Sequence, residues 1–156
     1  MLKISKLADY ATVIMTFLAQ HPNHRYSATA IAEQTHLGVP TVTKLLKRLA
    51  EHQLLKSIRG TQGGYQLNLL PQTINVAKII AAVDGDFGIT ECGQIHSKCV
   101  HEKHCDIRGN WRYINAVVLG VLENITLAEM CEALIAKPLV FHPKIAHSAN
   151  TEASNV

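Results

Sequence analysis

Near residue 54 the spacing of apolar residues changes from the helical period of roughly 3.6 to the strand period of 2. This change limits the folds open to the chain more than any other feature. Upstream, residues 5–20 read as a helix, with Ser5 as its cap and Leu7, Ala11, Ile14 and Leu18 on one face. His21-Pro22-Asn23 ends it. Ser27 caps a short second helix carrying Ile31, Ala32 and Gln34, and Leu37-Gly38 makes a turn. Pro40 fits the first position of a third helix, where its missing N–H costs nothing. That helix runs to about His52, with Val42, Leu45, Leu46 and Leu49 inward. Downstream, Leu54–Ile58 and Tyr65–Leu69 read as two strands around the basic glycine loop Arg59–Gly64. Three helices followed by a two-stranded hairpin spell a mainly α chain with a small β wing, a winged helix-turn-helix over residues 1–70.

The rest of the chain is helical around one irregular segment. Pro71 opens a link into a helix over about 74–83, with Ile74, Ala77, Ile80 and Ala81 along it, and Asp84-Gly85-Asp86 ends it. Residues 88–108 have no period and hold three cysteines and three histidines. A long helix follows from about Gly109, in which Trp111, Ile114, Val118, Val121 and Ile125 recur at spacings of three and four. Such a stripe is a seam for another helix, and it makes this a C-terminal dimerisation helix in an expected homodimer. Thr126 and Glu129 form a capping box for a last short helix carrying Cys131 and Leu134. The expected organisation is residues 1–70 for the winged helix, 71–135 for the connecting helix, cysteine loop and dimerisation helix, and 136–156 for a flexible tail.

Charge points to a partner. The net charge of +3 divides into +5 over residues 1–70 (8 Lys/Arg, 3 Asp/Glu) and −2 over residues 71–156 (7 Lys/Arg, 9 Asp/Glu). A basic first half fits a polyanion, double-stranded DNA first among them. If the apolar residues of the third helix face inward, Thr41, Thr43, Lys44, Lys47, Arg48 and Glu51 face out. Thr41, Thr43 and Lys44, near its start, suit base edges in the major groove; Lys47 and Arg48 suit phosphates. Arg59, beside glycines in the hairpin loop, suits a minor groove. The competing reading is a solvated helix face and a surface turn. No hydrolytic grouping or phosphate-binding glycine motif stands out, so an enzyme is not expected. No apolar run is long enough to span a membrane and no leader is visible, so the expected compartment is a reducing cytoplasm.

In that compartment four cysteines are thiols or metal ligands rather than disulfides. Cys92, Cys99 and Cys105 stand as C-x6-C-x5-C, with His96, His101 and His104 among them. Structural zinc usually draws on a C-x2–4-C knuckle, which is missing, although a Cys3His site with His101 or His104 stays open. An iron–sulfur cluster accepts wider spacing and takes soft thiolates, and spacing alone favours it modestly. Cys131, on an apolar helix, reads as core. Besides a cluster-sensing regulator, a small iron–sulfur electron-transfer protein and a zinc-stabilised DNA-binding module remain as readings.

Leu2-Lys3-Ile4-Ser5 through Asp9-Tyr10-Ala11, the helix around Pro40, Arg59-Gly60 with Gly63-Gly64-Tyr65, the three cysteines and Arg108-Gly109-Asn110-Trp111 together resemble the Rrf family of winged-helix iron–sulfur transcriptional regulators. The resemblance spans roughly residues 1–135. Thr90-Glu91-Cys92 and Asn124-Ile125-Thr126-Leu127 look most like the subgroup that regulates SUF iron–sulfur assembly genes. It implies a repressor, a homodimer, a palindromic promoter site and a bound iron–sulfur cluster, with the 2Fe–2S form favoured and 4Fe–4S left open. One branch of the family places a His ligand three residues after the third cysteine; Arg108 stands there in this chain and cannot ligate a metal. Another branch takes an Asp from the partner's first helix, and Asp9 matches that position. Where one branch has an acid that helps select DNA, this chain has Thr43, so the target sequence is not carried over.

Overall fold

A computed structural model describes residues 3–60, 63–93, 99–101 and 104–132. The expected tail, Leu134 and His96 lie outside these residues. Helix α1 (Lys6–Gln20) is capped by the Ser5 hydroxyl, which accepts from the Ala8 N–H; α2 (Ala28–Thr35) is capped likewise by Ser27 through Ala30. His36 closes α2 in the left-handed conformation, with φ of 56°. Helix α3 (Val39–Glu51) starts one residue earlier than expected, with Gly38 as its cap and Pro40 second. Pro40 still costs no bond there, since the first four N–H groups of a helix have no partner within it.

Strands β1 (Leu55–Ile58) and β2 (Gly64–Leu67) pair antiparallel, Leu55 against Leu67 and Ile58 against Gly64. Tyr26 adds one residue of a third strand: its N–H donates to the Tyr65 carbonyl at 3.2 Å, and the Tyr65 N–H to its own at 2.8 Å. Gly64 is required by this approach, because a Cβ there would lie 2.7 Å from the Tyr26 carbonyl oxygen.

After one 3-10 turn at Pro71–Thr73, α4 (Val76–Asp84) begins from an Asn75 cap. Its inner face differs from the expected one. Ile74 is buried but precedes the helix, Ala81 is exposed, and Val76, Ile79, Ile80, Ala82 and Val83 are inside. The later start rotates the face. A 3-10 turn at Glu91–Gly93 precedes α5 (Arg108–Asn124), and α6 (Leu127–Cys131) begins from the expected Thr126–Glu129 capping box.

One core joins α1, α2 and α3 (Ile14, Leu18, Ile31, Leu45, Leu49) to Ile74, Ile79, Val83 and Leu127. The core therefore runs across the expected boundary at residue 70. The Val76 N–H donates to Ile125 and the Leu127 N–H to Ile74, pinning the chain after α5 to the start of α4. A second small core holds Ala8, Val76 and Ile80 with Phe87, Leu122 and Ile125 against it. Ile125 thus ends the expected seam by packing within its own chain. Along the rest of α5 the apolar stripe is only partly covered: Ile114 is 42% and Tyr113 54% exposed, Trp111, Val118 and Val121 are half-buried, and Asn115 is its buried residue.

Candidate nucleic-acid interface and cysteine segment

The inward side of α3 is the apolar set read from the sequence, so its outward residues follow from helix geometry. Thr43, Lys44 and Lys47 are exposed and Thr41 is half-buried. The Thr43 hydroxyl donates to the Val39 carbonyl at 2.9 Å, leaving its oxygen free to accept. Lys47 lies 4.0 Å from Glu51 one turn on, with side chains 78% and 59% exposed, an ion pair of little worth that phosphate can displace.

Arg48 departs from the phosphate-facing position expected of it. It is half-buried, and its guanidinium donates to the Val83 carbonyl in the last turn of α4. A cation there meets the negative end of that helix and one of its unsatisfied carbonyls. The burial of Val83 draws α4 close enough for this bond. Arg48 thereby joins the outward-facing helix of the winged domain to the helix that leads into the cysteines.

Arg59 is exposed just beyond β1, and Lys56 is exposed on that strand. Arg25 donates to the Gln66 side chain on β2 at 3.1 Å, which adds a cation on the wing. Arg25 was not singled out in the sequence, because its place on the wing depends on the Tyr26–Tyr65 pairing.

The four cysteines form no disulfide. Cys92 is 8% exposed, and its sulfur lies 3.2 Å from the Thr90 hydroxyl. Cys99 and Cys105 are half-buried, and His101 and His104 are exposed. Asp9 is exposed in the first turn of α1, in a groove with Ile4, Lys6, Thr12, Val76, Ile80 and Met130. Among the described residues no three His, Cys, Asp or Glu side chains come close enough together to hold a metal ion. Cys92 is drawn inward onto α5, while its two companions lie nearer the surface. The donor chemistry still fits a cluster: three soft thiols in no disulfide, on a segment whose described residues form only short turns. Cys131 sits half-buried on α6, its thiol 3.7 Å from the Thr16 carbonyl oxygen, at the edge of the packing between α6 and α1 rather than within the core expected of it.

The segment is held from α5 by a residue not foreseen in the sequence. Asn115 is 6% exposed; its Oδ1 accepts the Ile89 N–H at 3.0 Å and its Nδ2 donates to the Gly93 carbonyl at 3.0 Å. A lone Asn within Ile114-Asn115-Ala116-Val117-Val118 was the available signal. Among the described residues no helix is long and apolar enough to cross a membrane.

Comparison with known proteins agrees with this architecture. A family model described as an iron-dependent transcriptional regulator, Rrf2, matches residues 4–133. The chain is 31% identical over 130 residues to the HTH-type transcriptional regulator IscR of Sodalis glossinidius, covering 83% of this chain and 78% of the relative. It is similar to the solved structure of T. potens IscR (TM-score 0.65, 32% identity, 83% of this chain and 85% of that one). It is also similar to CymR, the global cysteine regulator of B. subtilis (TM-score 0.66, 30% identity, 84% of this chain and 97% of that one). A winged helix with outward cations on α3 and the wing, matched over most of its length to such regulators, places the chain in the Rrf2 family of DNA-binding transcriptional regulators.

Proposed function

We propose that this regulator is a repressor of SUF iron–sulfur assembly genes whose grip on DNA answers to an iron–sulfur cluster held by Cys92, Cys99 and Cys105. The observation that carries the reading is the connectivity of the cysteine segment. On one side it continues from α4, whose Val83 carbonyl takes Arg48 of α3. On the other it is bonded to α5 through Asn115. A change in the segment is therefore felt by both the DNA-binding half and the helix proposed to dimerise. The iron-dependence named for the family supports iron as the metal. When bound, a cluster supplies an iron centre open to oxidation and loss, with thiolates from this chain and a fourth position for a harder ligand.

Asp9 of the partner subunit is the proposed fourth ligand, with His101 and His104 as the local alternatives. Thr41, Thr43 and Lys44 read base edges, Lys47 meets phosphate and Arg59 enters the minor groove. Arg48 holds α3 in place rather than reaching the backbone. Two subunits bind a palindromic promoter site.

The test is anaerobic purification of the full chain with a visible spectrum and assays of iron, sulfide and zinc. Brown protein containing iron and sulfide is expected, and Cys92→Ala, Cys99→Ala or Cys105→Ala should each bleach it. Protein that takes up zinc and no sulfide on reconstitution overturns the cluster reading.

A further inference from the structure

Asn115 joins two parts of the chain that the sequence keeps 22 residues apart or more. Its side chain bonds the backbone at Ile89 and at Gly93, the two ends of the stretch that carries Cys92. Within that stretch the Gly93 N–H donates to the Thr90 carbonyl at 2.9 Å, and the Thr90 hydroxyl meets the Cys92 sulfur at 3.2 Å. The amide orientation is determined by its partners. Turned over, its nitrogen would face the Ile89 N–H and its oxygen the Gly93 carbonyl, donor on donor and acceptor on acceptor. A buried amide on an apolar helix is tolerated where both of its ends are bonded, as here.

The contact is also sterically tight. A Cβ on Gly93 would lie 3.1 Å from Cγ and 3.2 Å from Oδ1 of Asn115. Without a side chain, Gly93 lets its carbonyl come within reach of the amide.

We infer that Asn115 is the positioning residue for Cys92: it closes residues 89–93 onto α5 and fixes where the Cys92 sulfur stands. The inference rests on the reading of Cys92 as a ligand and deepens it. Asn115 touches no metal. It holds the backbone on either side of a ligand, as residues behind a metal site orient the groups that bind it. The same two bonds make α5 the element that registers any movement of Cys92.

The experiment uses the full chain and two measurements. In chelator-treated, metal-free protein, iodoacetamide labelling of each cysteine is followed by peptide mass spectrometry. In anaerobically reconstituted protein, the visible circular dichroism and the rate of bleaching in air are recorded. In Asn115→Ala, labelling of Cys92 should rise about tenfold relative to Cys131, the factor expected from losing roughly 1.4 kcal/mol of closure. The cluster spectrum should shift and bleaching should quicken. Asn115→Asp keeps the acceptor for Ile89 but sets a buried carboxylate oxygen against the Gly93 carbonyl, acceptor on acceptor, so it should raise Cys92 labelling at least as far as Asn115→Ala. Gly93→Ala should mimic Asn115→Ala, and the two together should be less than additive.

Cys131, remote on α6, reports loss of the whole fold; if Asn115→Ala raises its labelling too, Gly93→Ala decides. Faster Cys92 labelling in a protein whose wild type takes up no iron would keep the clamp and sink the cluster reading. Wild type that takes up iron, with Cys92 labelling and spectrum unchanged in these variants, would overturn the clamp and leave the cluster reading intact.

Discussion

At the scale of single residues, two outward cations of the winged half, Arg59 and Lys47, are expected to behave differently. Arg59 stands beyond β1 with no helix to support it, and its proposed contact is in a narrow groove. Arg59→Ala should weaken operator binding by ~1–3 kcal/mol in a gel-shift titration while leaving non-specific binding less affected. Lys47 is paired with Glu51 across solvent, so Lys47→Ala should leave the melting temperature nearly unchanged. It should weaken binding to all sequences alike and lower the salt slope by about one unit. Cys131 gives a pH dependence. Burial, and after it the Glu132 carboxylate, pushes its thiol up. The unfolded chain then loses this proton first as pH rises, so Cys131 contributes its full stability below the ordinary thiol range and loses it through the raised value. Urea midpoints measured from about pH 8 to 10 should fall more steeply for wild type than for Cys131→Ala. Such single-residue behaviour was partly legible in the sequence. The exposure of Lys47 follows from helix period, while the use of Arg48 depends on a carbonyl 35 residues away.

At the scale of elements, the caps were legible and the faces were less so. Ser5, Ser27 and the Thr126–Glu129 box act within four residues of themselves, so their chemistry is complete in the local sequence. The inner face of α4 was not, because the 3-10 turn at Pro71–Thr73 and the Asn75 cap shift where the helix begins. The bond between Arg48 and Val83 is the joint between α3 and α4. Arg48→Ala removes a donor from a half-buried carbonyl and should lower stability by about 1 kcal/mol in denaturant unfolding. It should also weaken DNA binding without changing the salt slope, since no phosphate contact is lost. An unchanged stability with a slope lowered by one would mean that Arg48 reaches phosphate after all.

At the scale of the whole molecule, α5 is a long helix with one side on its own chain and the rest open. Leu122 and Ile125 pack on Ala8, Val76 and Ile80, whereas Trp111, Val118 and Val121 are half-buried and Tyr113 and Ile114 are exposed. Such a stripe is the proposed interface between two copies. Val118→Glu and Val121→Glu should each give monomers by light scattering, and wild type should be a dimer at micromolar concentration. Two-fold pairing would set the two α3 helices about one DNA turn apart, ~34–36 Å, or a multiple of it. Asp9→Ala should keep that dimer, shift the cluster spectrum and speed bleaching in air; an unchanged spectrum, with loss in His101→Ala or His104→Ala, would move the fourth ligand to that histidine. The amino-acid sequence by itself determined the winged helix, the wing loop, the helix caps and the three-thiol segment. Each is written in period, turn chemistry or spacing over a few residues, and local physics is enough to form it. The tertiary structure alone decided that Arg48 serves α4, that Ile125 packs at home, that the core crosses residue 70 and that Asn115 holds the Cys92 turn. Each of these depends on a partner brought near by packing, and a hydrogen bond or an apolar contact exists only once both groups share the same few ångströms.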